Sequence, residues 1–236
     1  MSGMSDIAGR AAALTDADSR LLVLLDAGEL DPAAPSLLPD WTVGHVLTHI
    51  ARNADANRNL VRWAATGVVS PMYPGGTRDA DIAAGAGRPS GELVADVRAT
   101  AAALAADIAA LPIEAWSVVI DTGRGGPVAA DVVLSQRLAE VELHHHDLGM
   151  DRGLALLDPA AGAALLAAAV HSYGRTRVRS ALRLEPDDAA PVGLGDVTDE
   201  TTRVAGSSAA LAGWLTGRTD GADLRCDGPL PDLPAW

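Results

Sequence analysis

Phenylalanine is absent from this sequence, and aromatic residues make up only 3% of it. A core must therefore be built from other side chains, and the 48% hydrophobic content is mostly Ala, Leu and Val. Ala and Leu are strong helix formers, so helix should dominate. Cysteine is nearly absent as well: Cys226 is the only one among 236 residues. A single thiol excludes an internal disulfide framework and any zinc site built on cysteines. Cys226 falls on a predicted strand with no histidine nearby in sequence, which reads as a small packed residue rather than a nucleophile. Long apolar runs are missing too. No stretch of about 18 uncharged apolar residues exists, so no membrane span is expected. The N-terminal MSGMSDIAGRAAALTDADSR carries acidic residues and lacks the apolar centre of a signal peptide. Positive charge is in short supply. The formal net charge of -13 argues against nucleic acid and anionic membrane surfaces as partners. What remains is an acidic chain expected in the cytoplasm, long enough for one large domain or two small ones and without a disorder signature.

Against this plain background one stretch stands out. Ala139 to Met150 reads AEVELHHHDLGM, with Glu140, Glu142, three consecutive histidines at 144–146 and Asp147. Residues four apart share a helical face. Glu140 points with His144, and Glu142 with His146. A carboxylate and an imidazole on one face make two metal ligands that need no loop to join them. One Glu with two His is a ligand set of catalytic zinc sites, whose fourth position stays open. A second helix must supply the other histidine, and LPDWTVGHVLTHIARNADANRNL offers His45 and His49, again four apart. Spacing leaves both choices open: Glu140 with His144 or Glu142 with His146, and His45 or His49. The remaining Glu, His and Asp147 would orient the ligands.

The elements follow from periodicity and punctuation. A first helix spans roughly Ser5 to Ala27, with apolar positions at Leu14, Leu21, Leu22, Leu24 and Leu25. Three prolines make the next segment a loop. A second helix, capped by Asp40, runs to Ala65 and stops at Gly67, with a polar middle that includes Asn53, Asn57 and Arg58. VVSPMYPGGTRDADIAAGAGRPS is an irregular connection suited to lie over a site. Arg78, on that loop, is placed to bind a carboxylate bidentately if the loop closes over a metal. A third helix runs from a Ser90 cap to Ala110, a strand-like run covers 118–120, and a fourth helix begins near Ala130 and ends at Gly149. The expected fold is α+β: a four-helix bundle over 1–152 and a small α/β domain over 153–236. The latter has a helix from Pro159 to Arg175, strands near Leu182, Val204 and Leu224, and a helix after Ser207 or Ser208 that stops at Gly217. His171 reads as a structural or surface residue. No phosphate loop and no GxGxxG before a helix is present.

Three blocks resemble the mycothiol-dependent maleylpyruvate isomerases of the DinB-like metal-binding bundle superfamily. LPDWTVGHVLTHIARNA resembles a W-T-x-x-H-x-x-x-H segment whose second histidine ligates zinc; that position is His49. WAATGVVSPMYPGGTRDADIAAGAG is similar to a segment ending P-M-Y, followed by a catalytic arginine; that position is Arg78. AEVELHHHDLG is similar to a segment whose Glu and His four later ligate zinc; those positions are Glu140 and His144. The C-terminal VAGSSAALAGWLTGR and GPLPDLPAW also look like the family's second domain. Leu138 and Ala139 stand where the family often has a polar or basic residue, and the triple histidine is no family requirement.

The resemblance implies a cis-trans isomerase that uses zinc and mycothiol to convert maleylpyruvate to fumarylpyruvate. A thiolate on zinc adds to the double bond, rotation follows, and the thiolate leaves. Arg78 would hold a substrate carboxylate or the enolate. The partners are then a small-molecule substrate and a low-molecular-weight thiol. Two rivals keep the same metal site: a mycothiol S-transferase acting on another electrophile, and a metal-binding bundle with no catalytic role.

Overall fold

The Ala- and Leu-rich segments do fold as helices in the computed structural model, which describes residues 2–28, 30–123, 126–150, 153–176 and 181–233. The chain divides into two units, Met1–Asp151 and Arg152–Trp236. The first is a bundle of four long helices: α1 (Ser2–Ala27), α2 (Val43–Thr66), α4 (Ser90–Ala110) and α5 (Val132–Asp147), with the short α3 (Arg78–Gly85) between α2 and α4. Helix α1 packs on α4 and α5, and α2 packs on the same pair, which closes a four-membered ring. Its core is aliphatic. Leu21, Leu47, Ile50, Leu60, Leu93, Leu104 and Leu134 are fully buried, each stabilising the bundle by roughly 1.5–3 kcal/mol relative to exposure. A two-stranded antiparallel hairpin, β1 (Val119–Asp121) with β2 (Pro127–Ala129), joins α4 to α5.

The second unit is a four-stranded sheet with helices α6 (Pro159–Thr176) and α7 (Ser208–Leu215). Its strands are β3 (Leu182–Pro186), β4 (Val192–Leu194), β5 (Thr202–Gly206) and β6 (Arg225–Cys226), in the order β4-β3-β5-β6. The β3–β5 pair is parallel and the outer pairs are antiparallel. The chain is thus an α+β protein with a four-helix bundle followed by a small α/β unit. Among the described residues no helix is long and apolar enough to cross a membrane. Cys226, expected to be packed away, is half-buried, with Sγ 3.9 Å from the Pro229 carbonyl. His171 is exposed.

Several local expectations are corrected. Asp40 does not cap α2. It adopts a left-handed conformation (φ 63°), and the cap is Thr42. Thr42 Oγ1 accepts the His45 amide at 3.4 Å while His45 Nδ1 accepts the Thr42 amide at 3.2 Å, a capping box in which His stands where Glu or Gln is usual. Ser90 is the first residue of α4, and Pro89 holds the cap position. The connection after Gly67 is less irregular than its Pro and Gly content suggests, since it contains α3. That helix escapes periodicity because it is eight residues long and buries only Ile82. Strands β2 and β4, three residues each, were likewise too short to read.

Two glycines fix α3 on α2. A Cβ on Gly44 would lie 2.0 Å from the Ala86 carbonyl oxygen, and one on Gly85 would lie 2.5 Å from Thr48 Cγ2. Close approach at the C-terminal end of α3, at Gly85 and Ala86, requires the missing side chains. The start of α3 lies over the same helix, where Arg78 comes within 3.4 Å of His49.

Candidate metal centre

Helices α2 and α5 face each other with His49 on one and Glu140 and His144 on the other. Nε2 of His49 is 2.9 Å from Glu140 Oε2, and Nε2 of His144 is 3.2 Å from the same oxygen. The two imidazole rings lie 4.6 Å apart at 89°. One ligand atom from each of the three residues falls within 4.8 Å of the others. Among the described residues this is the one such group of three or more His, Cys, Asp or Glu. Two imidazole nitrogens and a carboxylate oxygen converging on one point suit a divalent metal with an open position.

The surroundings orient these groups. Asp147 Oδ2 lies 2.9 Å from His144 Nδ1, which fixes the ring and turns Nε2 toward Glu140. The Trp41 ring meets His49 edge-on at 5.6 Å. Burial works against charge on all three members. For Glu140 the hydrogen bonds from His144 and His49 prevail, and its carboxyl sits well below the usual range. For His144 burial is likewise overruled by Asp147 and Glu140, and its pKa is raised. For His49 burial prevails over Glu140, and its pKa is lowered. The charged form is thus a carboxylate with a proton shared toward His144. Ligation by a divalent cation replaces such a proton. Removing the orienting carboxylate, as in Asp147→Ala, should weaken divalent-metal binding by roughly 10–100-fold with the helices intact, a shift readable by competition with a coloured chelator.

The alternatives that spacing left open separate in space. His45 is committed to the α2 cap, with its ring 6.0 Å from Trp41. Glu142 turns the other way and forms a close ion pair with Arg20 of α1, its side chain 1% exposed. His145 is buried and His146 half-buried, and neither joins the cluster.

Arg78 Nη2 stands 3.4 Å from His49 Nδ1, while Nη1 pairs with the exposed Asp79 at 2.6 Å. The polar middle of α2 divides in two. Arg58 points outward to Asp107 of α4 at 2.7 Å. Asn53 and Asn57 point inward and are buried. Asn53 Oδ1 accepts from Asn57 Nδ2 at 2.9 Å and from Arg137 Nη1 at 3.0 Å. Arg137 is fully buried, also donates to the Ile50 carbonyl at 2.9 Å, and has Asp18 of α1 at 3.6 Å. It ties α5 to α2 one turn below the triad. Arg137 is the residue here that sequence reasoning passed over, because a lone Arg in a helix gives no sign of burial.

Residues 5–149 match the family described as the mycothiol maleylpyruvate isomerase N-terminal domain. Two solved structures resemble the whole chain. One is the crystal structure of the mycothiol-dependent maleylpyruvate isomerase, 26% identical with a TM-score of 0.80. Another is that of a histidine-to-alanine mutant, 25% identical with a TM-score of 0.81. Each comparison covers 98% of this chain and 97% of the other. No curated protein matches.

Proposed function

The chain belongs to the mycothiol maleylpyruvate isomerase family, and from that premise we propose that it is a zinc- and thiol-dependent cis-trans isomerase converting maleylpyruvate to fumarylpyruvate with mycothiol. The observation that carries this reading is the convergence of His49, Glu140 and His144 with Arg78 beside them. The three residues would hold the metal. Bound there, a divalent ion supplies a Lewis acid that keeps a nearby thiol in its nucleophilic thiolate form.

The chain's own groups do the rest. Asp147 holds the His144 proton on Nδ1, leaving Nε2 for ligation. When His49 ligates through Nε2, its ring proton sits on Nδ1. Arg78 has only donors, so with a metal held on Nε2 its contact with that nitrogen would lose its acceptor and the guanidinium would be free to meet an anion. A dicarboxylate substrate offers one. In this reading mycothiol, not the single cysteine Cys226, supplies the attacking sulfur. Thiolate addition turns the double bond single, rotation follows, and expulsion of the thiolate restores the double bond in trans.

The test is an isomerisation assay on the full chain loaded with zinc. Turnover of maleylpyruvate should require mycothiol, stop on chelation and return with zinc. Turnover by the zinc-loaded protein without any thiol would overturn the reading.

A further inference from the structure

Arg137 of α5 is fully buried, and its Nη1 donates twice to α2, to the Ile50 carbonyl at 2.9 Å and to Asn53 Oδ1 at 3.0 Å. The first acceptor is backbone. The second is a side chain tied down by Asn57, whose Nδ2 donates to Asn53 Oδ1 at 2.9 Å and to the Asn53 carbonyl at 2.8 Å. Both anchors are thus fixed to α2 itself. Both ends of the tie adjoin the candidate ligands. Ile50 follows His49 in the chain, and Glu140 lies three residues after Arg137, on the same face of α5.

The tie costs free energy. Among the described residues, Nε and Nη2 have no hydrogen-bond partner. Asp18 Oδ1 stands 3.6 Å from Nη2, too far for a hydrogen bond. A buried guanidinium with two orphaned donors has given up bonds to water without replacing them. Replacing a buried ion pair by apolar side chains of similar volume is commonly neutral or stabilising, so stability alone does not account for Arg137. Geometry does. A ligand set divided between two helices works when its side chains are held within about 0.5 Å of their positions. Apolar packing is non-directional and lets helix surfaces slide, whereas two angled bonds from one nitrogen do not.

We propose that Arg137 is a positioning residue that sets α2 against α5, and with it the metal affinity of His49, Glu140 and His144. This rests on the reading of those three as a metal site. Arg137 touches neither metal nor substrate in this role; it fixes where His49 stands relative to Glu140. Asp147 orients one ring on its own helix, and Arg137 acts between the two helices that share the ligands.

The experiment removes both charges of the buried pair together, Asp18→Asn with Arg137→Met, so that neither is left alone in the core. Metal-free protein with its helices intact is titrated with cobalt(II), whose visible absorption reads affinity and ligand geometry at once. The expected result is a cobalt affinity lower by roughly 10–100-fold, as for loss of an outer partner. The visible bands should change, and the metal-free variant should unfold near the wild-type temperature. Unchanged affinity or unchanged bands would overturn the proposal and leave the metal site standing. A wild type that binds no cobalt would remove the site and the proposal together. Should the double variant fail to fold, Asn53→Ala keeps Arg137 and Asp18 and removes the side-chain anchor. Its cobalt affinity should then fall about tenfold, and wild-type affinity there overturns the proposal.

Discussion

Purified His49→Ala protein is expected to contain almost no metal after zinc loading, whereas the wild type retains about one zinc per chain. The argument is one of ligand count. His49 is the only contribution from α2; the other two come from a single turn of α5. Without it, Glu140 and His144 offer two ligands from one helix face, and nothing opposite closes the site. The loss in affinity should exceed the roughly 10–100-fold that follows removal of an orienting outer partner. The fold should survive. His49 is buried in its neutral form, with burial depressing its pKa, so Ala removes an uncharged ring. The bundle keeps its aliphatic core and the Arg137 tie between α5 and α2. Elemental analysis beside circular dichroism separates the two effects. A variant that keeps its helices and its zinc would show that the metal lies elsewhere, and isomerase activity should be absent from a variant that keeps its helices and loses zinc.

The limits of sequence reading at this site have a geometric origin. Glu140/His144 and Glu142/His146 are equally good pairs four apart. They differ by two residues, which on an α-helix is a rotation of roughly 200°. One pair must therefore face away from the other, and only the position of α2 decides which is inward. Local sequence carries no information about that side. The structure puts α2 beside Glu140 and α1, with Arg20, beside Glu142. His45 and His49 lie on one face, so periodicity cannot part them, and the capping box that claims His45 becomes visible only once the helix start is known. Resemblance to a family named His49, Glu140 and His144, and these are the three residues that the structure brings together. The bundle itself was legible because its long helices are Ala- and Leu-rich. Helix α3 and strands β2 and β4 were not, because their residues take their conformation from the surfaces they lie on. Arg137 matters through long-range contacts, and no local pattern encodes those.

Replacing Arg78 with Ala should leave zinc content unchanged and lower kcat/KM for maleylpyruvate by roughly 10³-fold, about 4 kcal/mol of transition-state stabilisation. Arg78 is no part of the ligand set. Its contact with His49 is long, at 3.4 Å, and its stronger partner is the exposed Asp79. The exposed pair contributes little to stability, so the variant should unfold near the wild-type temperature. What it loses is a positive charge beside the cluster of His49, Glu140 and His144. The guanidinium lies 3.4 Å from His49 Nδ1, beside the metal-ligand cluster, where a positive charge stabilises negative charge as it develops. Arg78→Lys should recover only part of the loss, since a point charge replaces a planar fork able to hold a carboxylate through two bonds. The same variant discriminates between reaction types. A thiol transferase acting on an uncharged electrophile has no carboxylate for Arg78 to hold, and its kcat/KM should change by less than about tenfold. Steady-state kinetics on maleylpyruvate and on a neutral electrophile, each with mycothiol, reads both at once. A large loss confined to maleylpyruvate supports the isomerase. Loss on neither substrate would remove Arg78 from the mechanism and return the chain to thiol transfer.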